Sequence, residues 1–147
     1  MYRRILIATD GSELSQKAAT KAIELAALCG AKLVAVTVVP RYPQSYFEGG
    51  VALLPEEMLL VEKQWADKGQ AVVDAVKQAA SDKGVTAETL TVTSNVVSDA
   101  LIAAATKNQC DLIVMASHGR KGLGRLLMGS ETQHVLTHTA IPVLVIR

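Results

Sequence analysis

The chain has 147 residues, half of them hydrophobic yet only 3% aromatic, and its 15 basic and 14 acidic side chains leave a net charge of +1. That length suits one domain, residues 1–147, and the near-balance of charge excludes the basic stripe that broad nucleic-acid binding requires. No apolar stretch approaches the roughly 20 residues that span a bilayer, so no membrane insertion is expected.

The apolar run Ile5 to Ala8 is too short for a secretion signal and reads as a buried strand, ended by the turn residues Asp10-Gly11-Ser12. Ser12 suits an N-cap. Ala18, Ala19, Ala22, Leu25, Ala26 and Cys29 then recur at helical spacing, and Gly30 stops that helix. Leu33 to Val39 is a second buried strand closed by Pro40. Residues 41 to about 54 form a long loop holding Tyr42, Tyr46 and Phe47, a cluster that fits packing on its own helix or on a partner better than a ligand lid. Pro55-Glu56-Glu57 opens a long helix to about Lys83, with Pro in the first turn and acids at the positive end of the dipole; Trp65, Val72, Val73 and Val76 face inward. Val85 to Thr93, rich in Thr, reads as an edge strand. Ser98-Asp99 opens a short helix through Ala105, Asp111 to Ala116 is a fourth strand, Ser130 to His138 a last helix and Pro142 to Ile146 a last strand.

This alternation predicts an α/β fold: five parallel strands, doubly wound by helices on both faces. Ligands of such sheets sit outside the carboxyl ends of strands where the winding reverses. If the first and fourth strands are neighbours, Thr9-Asp10 and Met115-Ala116 meet there. Cys29 and Cys110 lie far apart without metal-ligand spacing, which predicts structural thiols in a reducing, cytoplasmic setting.

The chemistry concentrates in residues 116 to 130, Ala-Ser-His-Gly-Arg-Lys-Gly-Leu-Gly-Arg-Leu-Leu-Met-Gly-Ser. Glycines let backbone amides approach a phosphate, the helix from Ser130 offers its first-turn N–H groups, and Arg120, Lys121 and Arg125 add positive charge. The stretch is neither a Walker A loop, lacking Gly-Lys-Ser/Thr, nor a Rossmann fingerprint, lacking the third glycine. Composition alone leaves phosphate binding and a flexible surface loop both open.

Residues Ile5 to Ser12, Ala116 to Ser130 and Ile141 to Ile146, in this order and spacing, resemble the universal stress protein family over essentially the whole chain. Nucleotide-binding members carry Gly-x2-Gly-x9-Gly-Ser/Thr; here Gly119, Gly129 and Ser130 match, and Ala116 replaces the first glycine. The resemblance implies a Rossmann-like fold of the adenine nucleotide α-hydrolase-like kind, strand order 3-2-1-4-5. It also implies an ATP (or ADP/AMP) site with Mg²⁺ or Mn²⁺. In that site Asp10 meets the ribose or a nucleotide-bound cation, and Ala8 and Thr9 flank the base. The Val38 backbone recognises adenine, and Met115 and Ala116 line the strand end. His118 and Arg120 touch sugar or phosphates, while Gly119, Gly129, Ser130, Glu131 and Thr132 hold the phosphates. A homodimer through the strand at 142–147, reporting energy or stress to a signalling partner, is implied as well.

Plainer readings stand beside these. Asp10 can act only in a turn or cap with Ser12. Ser130 with Gln133 fits a capping box. His134 and His138 share a helix face without a further metal ligand. The methyl group of Ala116 would crowd a ribose or phosphate, which supports a dimeric interaction module without nucleotide. A pyrophosphatase-type Ser-Gly-Gly-x-Asp-Ser loop is not supplied by Thr9-Asp10-Gly11-Ser12. No catalytic carboxylate pair is evident, leaving at most slow ATP hydrolysis or self-phosphorylation at Ser130.

Overall fold

The computed structural model describes residues 1–43, 54–119 and 128–147. The expectations for Tyr46, Phe47, Arg120, Lys121 and Arg125 fall outside them. In chain order the elements are β1 (Arg4–Ala8), α1 (Glu13–Cys29), β2 (Lys32–Val39), α2 (Pro55–Asp82), β3 (Ala87–Thr93), α3 (Val97–Lys107), β4 (Leu112–Ala116), α4 (Ser130–His138) and β5 (Val143–Ile146). The strands form one parallel sheet in the order β3-β2-β1-β4-β5, as the resemblance implies.

The pleat sorts the core into two layers, since successive strand side chains face opposite ways. Ile5, Ile7, Leu33, Ala35, Leu112 and Val114 pack beneath α1 and α2 with Ala18, Ala22, Val73 and Val76. Leu6, Val34, Val36, Ile113 and Met115 face the other way, against Leu101 and Ala105 of α3 and Val135 of α4. Aliphatic side chains of this size are worth about 1.5–3 kcal/mol each when fully buried, which explains how a chain with few aromatics holds its sheet.

Local signals act largely as read. Ser12 caps α1 by accepting the Ser15 amide at 3.3 Å, and Gly30 ends it in the left-handed conformation, φ +66°. Gly69, which the sequence does not single out, marks a close approach of α2 to the sheet: a Cβ there would lie 2.8 Å from Val39 Cγ1 and 3.1 Å from Thr37 Cγ2. The α2 start is braced from the chain leaving β2, where the Tyr42 amide donates to Glu62 at 2.9 Å and the Tyr42 ring stacks on Trp65 at 6.0 Å.

Several boundaries move by one or two residues, most in β3 and α3. The third strand begins at Ala87, two residues late, because the Val85 amide closes α2 by donating to Ala80 O. Helix α3 starts at Val97, with Val96 as N-cap, and runs on to Lys107; Ser98 and Asp99 lie inside its first turn. At the amino end of the sheet the Asp111 carboxylate accepts the amides of Arg3 and Arg4 at 2.9 and 3.1 Å. Burial pushes the Cys110 thiol above its ordinary range, against the pull of Arg4.

Candidate functional site

The winding reverses at β1. The chain adds β2 and β3 on one side of it, then β4 and β5 on the other. Asp10 and Ser117 therefore leave the sheet next to one another, at the carboxyl ends of adjacent strands. A surface groove of about 650 Å³ lined by Ile23, Leu28, Ala79 and Lys83 lies elsewhere, between α1 and α2.

On the β1 side, Asp10 Oδ1 accepts the Ser12 amide at 2.9 Å. Its other oxygen faces Gly119, where a Cβ would come within 2.7 Å of Oδ2. Asp10 thus both braces the α1 start and borders the chain leaving β4. Thr9 is buried, and its hydroxyl is engaged with Ser15 at 3.1 Å, so its side chain faces α1. Ala8 is half-buried against the α3–α4 layer. In β2 the even-numbered residues aim their backbone at β1, as the bond from Thr9 N to Val36 O shows. Val38 is the next of these, and β1 places no residue opposite it, because the ladder ends at Ala8 and Val36. Its backbone groups thus sit where an adenine edge is expected.

On the β4 side, Met115 is buried in the α3–α4 layer, so only its backbone borders the mouth. Ala116 belongs to the α1–α2 layer and is 8% exposed, so its methyl group is packed in the core. The pleat thus turns that Cβ toward the α1–α2 layer. The chain returns to α4 through Gly129, whose amide donates to Ser117 O at 2.7 Å, and Thr132 Oγ1 donates to Ala116 O at 3.0 Å. These bonds seat the start of α4 against the end of β4. A Cβ on Gly129 would lie 3.3 Å from both His118 Cα and Ser117 O. Half-buried His118 accordingly stands beside the helix start, its Nδ1 3.2 Å from Ser117 Oγ.

The capping box expected of Ser130 and Gln133 is not what forms. Gly129 is the N-cap and has no side chain to offer, Ser130 is the first helical residue, and Gln133 Nε2 donates to Met128 O at 2.9 Å. The first bond within the helix runs from Gln133 N to Gly129 O. The amides of Ser130, Glu131 and Thr132 precede it and have no partner in their own helix. They point, with the positive end of the dipole, toward the mouth. Glu131 does not put its charge there: its carboxylate accepts the Ser98 amide at 2.8 Å, capping α3 from the neighbouring helix. His134 pairs with Asp99 at 2.9 Å, which fastens α4 to α3, and stacks on His138 of its own helix at 3.9 Å. Among the described residues no group of three or more His, Cys, Asp or Glu side chains could hold a metal ion.

Comparison with known proteins decides the family. The model of the universal stress protein family matches residues 1–147. The chain belongs to the universal stress protein family. A universal stress protein of Methanocaldococcus jannaschii is 35% identical over 149 residues, covering all of this chain and 83% of that protein. The solved structure of universal stress protein UspA from Lactobacillus plantarum shares the fold, with a TM-score of 0.84 at 24% identity over 99% of this chain and 98% of that one. A universal stress protein crystallised in complex with cAMP matches with a TM-score of 0.70 at 27% identity, covering 99% of this chain and 97% of that chain. For a universal stress protein, the residues that sequence reading missed at this mouth are Ser117, whose carbonyl seats Gly129, and the Thr132 hydroxyl. Their only sequence signal was position, directly after a buried strand and within a helix's first turn.

Proposed function

We propose that this universal stress protein binds an adenine nucleotide, ATP, ADP or AMP, in the mouth between β1 and β4, and does so as a homodimer that reports cellular state to a signalling partner. The observation that carries the reading is the start of α4. A glycine N-cap without a side chain leaves the amides of residues 130 to 132 directed at the ground between Gly119, His118 and Asp10. Two glycines let the backbone approach closely there, since a Cβ on Gly119 would crowd Asp10 and one on Gly129 would crowd His118 and Ser117. The cAMP complex of a relative 27% identical favours an adenine ligand. The packing of the Ala116 methyl group with the α1–α2 layer supports room for the ligand.

In this reading the base lies near the Val38 backbone, the ribose near Asp10, and the phosphates on the α4 amides. Mg²⁺ or Mn²⁺ would be held by the phosphates, with Asp10 as the protein's contribution. Ser130, the first residue of α4, lies beside the proposed phosphates, and with no catalytic carboxylate pair in this reading any transfer or hydrolysis there is slow. The dimer reading rests on β5, an edge strand paired only with β4 among the described residues, with Leu144 39% and Leu136 40% exposed. Antiparallel pairing of two copies would cover that edge.

Mass spectrometry of small molecules released from the purified protein, with titration calorimetry of ATP, ADP and AMP, tests the site. An adenine nucleotide bound at micromolar or tighter affinity is the expected result. Absence of binding by all three, from protein with a native circular dichroism spectrum, refutes it and leaves an interaction module without nucleotide. Light scattering on protein lacking residues 142–147 tests the dimer.

A further inference from the structure

Ser117 stands outside the family motif positions, yet three bonds converge on it. Its amide donates to Ile146 O at 2.8 Å, its carbonyl accepts the Gly129 amide at 2.7 Å, and its hydroxyl meets His118 Nδ1 at 3.2 Å. The residue is 8% exposed, and its backbone is held on both sides, by β5 and by the α4 N-cap. Its hydroxyl is therefore presented from a fixed point. His118 is half-buried, with its Cα and Cβ against Gly129.

We propose that Ser117 is a positioning residue that holds the His118 ring by Nδ1, so that Nε2 is the nitrogen presented to a nucleotide phosphate at the α4 start; this rests on the nucleotide reading above. A hydroxyl is the partner that suits this task. It donates to Nδ1 when the ring carries its proton on Nε2, and accepts from Nδ1–H when the ring is an imidazolium. In both of these states Nε2–H is a donor, which is what an anionic ligand needs, whereas the neutral Nδ1–H tautomer, which a hydroxyl also admits, would offer the ligand an acceptor. A carbonyl in place of the hydroxyl would force the neutral ring into the opposite tautomer, with an acceptor facing the phosphates. Among the described residues the charged groups of the adjoining segments are Asp10, beside Gly119 in the loop after β1, and on α4 Glu131, whose carboxylate is turned to the Ser98 amide.

The experiment is a double-mutant cycle read by ATP calorimetry across pH 5.5 to 8, with nitrogen-15 NMR of the histidine rings in ligand-free protein. Ser117→Ala is expected to weaken ATP binding about three- to tenfold, the effect of losing one ordinary hydrogen bond, and to alter its pH profile. Ser117→Thr, which keeps the hydroxyl, is expected to restore both. In a His118→Ala background the Ser117→Ala change is expected to cost nothing more. The NMR spectrum should show His118 in one dominant neutral tautomer, protonated on Nε2, that Ser117→Ala disperses. An equal loss of affinity in both backgrounds, or a tautomer indifferent to Ser117→Ala, overturns the assignment. Wild-type protein that binds no ATP while its His118 tautomer still depends on Ser117 defeats the nucleotide reading instead, and the assigned role with it.

Discussion

Helices α1 and α4 start from the carboxyl ends of neighbouring strands and treat their first turns in opposite ways. At α1 the side chains of Ser12 and Asp10 accept amides of the helix start, at 3.3 and 2.9 Å, and the Thr9 hydroxyl joins Ser15 behind them. At α4 the N-cap is glycine, and the one acidic side chain of the first turn, Glu131, serves α3. A first turn closed by its own side chains is a structural joint, whereas one left to the backbone is a receptor for an outside anion. Of two adjacent helix starts in this molecule, one is closed by side chains and the other is left to its backbone, where the proposed function puts the ligand.

The sharpest way to break that contrast is to close α4 as α1 is closed. Gly129→Asp would supply a carboxylate to the open amides and repel phosphates, so ATP affinity is expected to fall by roughly a hundredfold, equal to about 3 kcal/mol. Its φ of −61° admits a side chain, although the new Cβ must displace its neighbours by a few tenths of an ångström. Calorimetry that finds wild-type affinity in folded Gly129→Asp protein would dissolve the distinction between the two helices.

Gly119→Ala probes where the two starts touch. The added methyl group needs the space of Asp10 Oδ2, so the carboxylate must swing and take its bond to the Ser12 amide with it. A loss of about tenfold in ATP affinity, together with a stability loss of about 1 kcal/mol in urea, is the expected pair of effects. Only one of the two appearing would show that the starts are independent.

Ser12→Ala removes the cap of α1 alone. It should lower stability by about 1 kcal/mol, roughly 3 °C in Tm, with ATP affinity unchanged within about twofold. A large affinity change there would mean that α1 also serves the ligand.

The smallest effect belongs to the far end of the sheet. Burial pulls the Asp111 carboxyl upward, but the amides of Arg3, Arg4 and Asp111 itself, with the Arg3 charge, outweigh it and hold the group below the ordinary carboxylate value. Its stabilisation is therefore complete above that value and is lost as pH falls through the lower, folded-state value. Asp111→Asn should flatten the acid limb of stability in urea titrations below about pH 4 and leave ATP binding at neutral pH untouched.

The fold was legible because apolar runs, cap residues and glycine stops agree along the chain, from Ser12 and Gly30 to Pro55. The candidate site was legible as a motif, less so as geometry. Ser130 reads locally as a cap, yet tertiary seating of Gly129 on Ser117 moves the cap back one residue. The resemblance has Glu131 hold phosphates, which its amide can do and its carboxylate cannot, and only the packing of α4 on α3 gives that carboxylate the Ser98 amide, 33 residues away. His134 finds Asp99 35 residues away by the same packing. The orientation of the Ala116 methyl group follows from strand phase, which a five-residue strand leaves ambiguous until its neighbours fix the register.

The stacked pair of Tyr42 and Trp65 has a practical consequence. Trp65 is the sole indole of the chain, and its neighbour sits four residues beyond Val38, in the chain leaving β2. Its intrinsic emission is therefore a built-in optical probe: it reports loosening of the segment behind β2 without any attached dye, while far-ultraviolet dichroism follows the helices as a whole.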